Sequence, residues 1–157
     1  MDDDPWRFHD GQRFTIGGYE FDFLAVDEVG NVATFSHAGW GPIPRSVVDR
    51  WLEATEAVDA VDELPATTAA VEVPKGPGDY TDWLTKVERG LFAYDWHDTY
   101  GPYRLVAAPQ QPRHIDSMPT LRAYGDLVVL RTTFAMRDTI DFSSLGINVV
   151  EYPRHSP

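Results

Sequence analysis

Apolar and polar residues alternate from Tyr19 to Val26, with Tyr19, Phe21, Phe23 and Ala25 on one side and Glu20, Asp22, Leu24 and Val26 on the other. A period of two is that of a β-strand with one face on a core. Before it, Arg13–Ile16 reads as a short strand and Gly17-Gly18 as a tight hairpin turn. After it, Asp27-Glu28-Val29-Gly30-Asn31 is turn chemistry, and Val32–Ser36 is the returning strand. These elements predict an antiparallel meander.

The period then changes. Gly39-Trp40-Gly41-Pro42-Ile43-Pro44 holds two prolines, which fix φ and lack amide donors, so it reads as a stiff corner. Ser46 is placed to cap a helix, with Asp49 three residues on. Val47, Trp51, Ala54, Val58 and Val61 follow at helical spacing, with Asp49, Glu53, Glu56 and Glu63 on the opposite side. The stripe predicts a helix that ends by about Asp62, ahead of Pro65. Residues 65–78 read as a connection. A second helix is expected over 80–89, with Asp79 as cap, Trp83, Leu84 and Val87 buried, and Gly90 at a left-handed stop. Leu91–Trp96 and Tyr103–Ala107 are strand-like around a turn at 97–102, and a short helix fits near Pro119–Tyr124. Leu127–Phe134 is the most strand-like run of the chain, and Ile147–Tyr152 reads as a last strand. Strands, then two helices, then strands predict an α+β fold, a mostly antiparallel sheet with two main helices packed on one face. The expected organisation is a flexible start over residues 1–10 and one domain over 11–157.

Composition narrows the class. The chain has 157 residues, 43% of them hydrophobic, 13% aromatic and 24% charged, which is enough for one core without staples. With no cysteine, disulfide scaffolds, thiol nucleophiles and thiolate zinc sites are excluded. A net charge of −12 argues against nucleic acid and anionic membranes as partners. The acidic start Met1-Asp2-Asp3-Asp4 is unlike a secretory signal, and no apolar run approaches a membrane span, so a cytoplasmic location is expected.

The charge is uneven. Residues 1–100 carry 20 acids and seven Lys/Arg, whereas residues 101–157 carry five acids and six Arg. The densest stretch is the first helix, where Asp49, Glu53, Glu56, Asp59, Asp62 and Glu63 face one arginine, Arg50. Like charges three or four residues apart destabilise a helix by roughly 0.2–0.5 kcal/mol per pair. Such a row either is a solvated face or exists to meet a cationic partner, and Trp40 on its stiff corner could supply an aromatic anchor.

Catalytic chemistry is thinly represented. Asp95, His97 and Asp98 are the metal-ligand types that fall closest together, and they define an alternative reading as a metal-dependent hydrolase; the plainer reading is a hairpin tip made of good turn residues. Ser36-His37 lacks the elbow of a serine nucleophile, and the five histidines show no metalloprotease spacing. Neither catalytic residues nor a cofactor is assigned.

Two segments carry a resemblance. Phe23–Ser36 running into Ala38–Pro44, and Gly90–Trp96 followed by Tyr103-Arg104, resemble a group of small bacterial proteins similar to the immunity proteins that accompany secreted toxins. The resemblance implies no active-site residue. It implies stoichiometric binding of a protein, which agrees with the charge pattern: the expected function is a non-enzymatic, acidic protein-binding domain that meets a basic partner such as a toxin through Asp49, Glu53, Glu56 and Glu63, with Trp40 as anchor.

Overall fold

The computed structural model describes residues 6–9, 12–15, 20–73, 79–96 and 101–151. The predicted meander is present: β3 (Asp22–Val26) and β4 (Val32–Ser36) pair antiparallel around the 27–31 turn. Gln12–Thr15 (β2) does not join them. It pairs with β1 (Trp6–His9), which lies in the stretch expected to be flexible, while Gly17 and Gly18 lie outside the described residues.

The 38–41 turn leads into β5 (Ile43–Pro44), then α1 (Arg45–Asp49) and α2 (Trp51–Val61). β5 corrects the reading of the corner as free of strand. It is a two-residue ladder with β10 (Val149–Val150), where an edge strand tolerates a proline. The single predicted helix is divided at Arg50, whose φ of −115° and ψ of 48° leave helical geometry. The apolar stripe survives the break, with Val47, Trp51, Ala54 and Val61 all buried. Ser46 is not a cap. Its hydroxyl donates to the carbonyl of Leu127 and ties α1 to the C-terminal third, and Pro44 precedes the helix with no side-chain cap.

Within the expected connection, Ala70–Glu72 forms a short edge strand, β6. α3 (Thr81–Val87) follows, preceded by Asp79 accepting from the Thr81 amide at 3.0 Å and closed by Gly90 at φ 103°. β7 (Phe92–Trp96) and β8 (Tyr103–Pro109) form the second hairpin, and β9 (Thr139–Ile140) pairs with β8. The main sheet runs β3-β4-β7-β8-β6 with β9 beside β8. Of its pairs only β4–β7 is parallel, because the chain reaches β7 through the long crossover that holds α1, α2, β6 and α3. The class is α+β with a mostly antiparallel sheet, as the order of elements predicts.

Phe23, Phe35 and Tyr94 are register neighbours on β3, β4 and β7, so their rings form a row across the sheet, 5.4 and 5.0 Å apart. Tyr103, Phe134 and Phe142 close over that row. The opposite face carries Thr34, Ser36, Ala93 and Ala107, and α3 packs there through Val87. α2 lies against β3 and against α4 (Pro119–Arg122).

Leu127–Phe134 corrects a further expectation, since it is not a regular strand. It runs parallel to the end of β3 through Val26 N–Val128 O (2.9 Å), Leu130 N–Val26 O (2.8 Å) and Glu28 N–Thr132 O (3.0 Å). Leu130, Thr132 and Phe134 are buried while Val129 and Arg131 are exposed, so the alternation is real but only the Val26–Val129 bridge is regular.

Gly41 shows how tightly the corner is seated. A Cβ there would lie 2.6 Å from the Tyr103 hydroxyl and 3.0 Å from the Trp96 ring. Both rings are buried, so Gly41→Ala is expected to lose about 2 kcal/mol in a urea titration by overpacking. Unchanged stability would mean that the turn can lift off the two rings.

Candidate functional site

The acid row takes shape from the burial of the other side of its helix. With Trp51, Ala54, Ala57 and Val61 against the core, Leu52, Glu56, Asp59 and Glu63 fall at spacings of four, three and four and are all exposed. Leu52 is 57% exposed, so the row begins on an uncovered aliphatic residue. Glu53 flanks it and Asp49 sits on α1, one element earlier.

The Arg50 guanidinium reaches two acids: it pairs with Glu53 and lies 3.3 Å from Asp126. Its hydrogen bond holds the Glu53 carboxyl below the usual carboxylate range. Among the described residues, no ion pair with Lys or Arg joins Glu56, Asp59 or Glu63. The described arginines of the last third therefore form no ion pair with these three carboxylates.

Two residues that the sequence reading missed extend this surface. The Tyr124 hydroxyl, just past α4, donates to Glu56 at 3.3 Å. Its pKa is raised first by desolvation, and the negative charges of Glu56, Glu53 and Glu63 add to the rise. Asp126 adds another acid. Both come to α2 through the α2–α4 packing, where the Thr120 hydroxyl meets the Ala60 carbonyl at 3.4 Å. A tertiary contact between residues this distant in sequence leaves no trace in local spacing.

Trp40 stands apart from the row, on the 38–41 turn, 54% exposed. The turn is firmly held: the Trp40 and Gly41 amides both donate to the His37 carbonyl, and Ala38 takes a φ of 56°.

A second acidic region lies at the ends of β3, β4 and β7 beside the start of α3. A cavity of about 310 Å³ is walled by Glu20, Asp22, Asp79, Asp82 and Asp95. Its floor is a hydrogen-bonded chain in which Trp83 Nε1 donates to the Ser36 hydroxyl (2.9 Å) and that hydroxyl donates to Asp22 (2.8 Å). Lys86 pairs with the other Asp22 oxygen at 2.6 Å, and this lysine is largely buried. The hydrogen bonds from Thr81 hold the Asp79 carboxyl below its usual range. Asp95 is the one member of the Asp95, His97, Asp98 cluster found here, because His97 and Asp98 lie outside the described residues. Among the described residues, no three His, Asp or Glu side chains come together as a metal ligand set. None of the helices among them is long and apolar enough to cross a membrane.

Comparison with protein-family models, with curated proteins and with solved structures returns no match.

Proposed function

We propose that this chain is a non-enzymatic binding module that presents the outer face of α2 to a cationic protein surface. The observation that carries this reading is the exposed stripe of Glu56, Asp59 and Glu63 without a cationic partner among the described residues. A helix selected for stability alone would alternate these acids with lysines at i,i+4. Left uncompensated, they lower the stability of α2 and raise the attraction for a basic surface, which speeds encounter by roughly 10–10³. Leu52 at the head of the stripe and Tyr124 at its flank offer apolar area that a partner can desolvate. The resemblance to immunity proteins supports the same reading and would make the partner a basic toxin, with Asp49, Glu53, Glu56, Glu63 and Trp40 on the contact surface.

The reading predicts opposite effects on binding and on folding. In the triple variant Glu56→Gln, Asp59→Asn, Glu63→Gln, like-charge pairs along α2 are removed, and stability is expected to rise by about 0.5–1 kcal/mol. Affinity for a synthetic lysine-rich peptide, measured by calorimetry at low salt, is expected to fall about tenfold. The control Glu72→Gln, Glu88→Gln, Glu151→Gln removes the same charge from exposed sites elsewhere and is expected to keep most of the affinity. Equal losses in the two variants would reduce the effect to net charge and overturn the assignment to α2.

A further inference from the structure

No further inference is drawn: the strongest candidate, the acid-lined cavity between the start of α3 and the ends of β3, β4 and β7, is a cluster of carboxylates with no second observation in the structure that points to a ligand.

Discussion

Replacing Asp27 by alanine is expected to cost about 4 kcal/mol of folding stability, the largest effect of any single carboxylate in the described structure. Asp27 is 2% exposed and accepts three backbone amides. One oxygen takes Val29 N at 3.1 Å and Asn31 N at 2.8 Å, which shapes the β3–β4 turn. The other takes Phe134 N at 2.9 Å and fixes the C-terminal segment against that turn. Hydrogen bonds to a charged acceptor contribute about 1.5–3 kcal/mol each, and buried donors left without an acceptor carry the full desolvation cost. The bonds share one carboxylate, so their losses do not simply add. Asp27→Asn separates the roles. Its carbonyl can still serve Val29 and Asn31, but its amide nitrogen then meets the Phe134 N–H donor to donor. About half of the loss is expected there, read by urea denaturation. An alanine variant within about 1 kcal/mol of the parent would show that water replaces the carboxylate and that the turn is not the anchor of residues 128–136.

The second large effect is a loss of stability in alkali. Tyr94 and Tyr103 are fully buried, and their hydroxyls donate to main-chain carbonyls, Tyr94 to Arg137 at 2.7 Å and Tyr103 to Pro42 at 2.8 Å. Burial raises both phenols well above their ordinary value, and nearby carboxylates add to it: Asp138 and Asp27 at Tyr94, Asp95 and Asp22 at Tyr103. In the unfolded chain a tyrosine releases its proton near pH 10. Above that pH the folded state holds protons that the unfolded state has lost, so stability falls as pH rises. Two such groups give a slope that reaches about 1.4 kcal/mol per pH unit at pH 10 and approaches about 2.7 above pH 11. Denaturation curves collected from pH 8 to 11 measure the slope. Tyr94→Phe or Tyr103→Phe is expected to remove about half of it, at roughly 1 kcal/mol lost near neutrality from the missing hydrogen bond. A slope unchanged in both variants would place the alkaline transition on other groups.

The parts of the fold that the sequence announces are those in which burial and hydrogen bonding share one period. Val47, Trp51, Ala54 and Val61 repeat at helical spacing and are all buried, so α1 and α2 are readable although Arg50 interrupts them. Phe23, Phe35 and Tyr94 alternate with partners on the other face, and the three strands follow. Leu127–Phe134 shows where this fails. Its alternation reports which residues are buried, while its hydrogen bonds run as a short, irregular parallel contact with Val26 and Glu28. Periodicity cannot separate that contact from a strand. The single-turn helices at Ile115–Ser117, Phe134–Met136 and Ser143–Leu145 leave no helical period, since each is shorter than one α-helical repeat. The hydroxyl of Ser46 goes to Leu127 instead of to its own helix, a tertiary bond that outweighs a local preference.

The candidate surface divides in the same way. The acids Glu56, Asp59 and Glu63 are visible in the chain because they repeat at helical spacing along α2 and the turn that follows it, whereas Tyr124 and Asp126 join them only through the packing of α4. The cavity acids come from β3, β7 and the α3 start, so sequence order scatters them and the sheet register gathers Asp22 with Asp95 through Ser36.

The placement of positive charge on this surface can be read directly. Backbone amide shifts followed by NMR during titration with a lysine-rich peptide report which residues the peptide covers. Perturbations concentrated over residues 52–63 and 124–126, and suppressed by salt, are the predicted result. Perturbations centred on Asp22, Asp79 and Asp95 instead, or spread evenly over every exposed acid, would contradict a role for the α2 face.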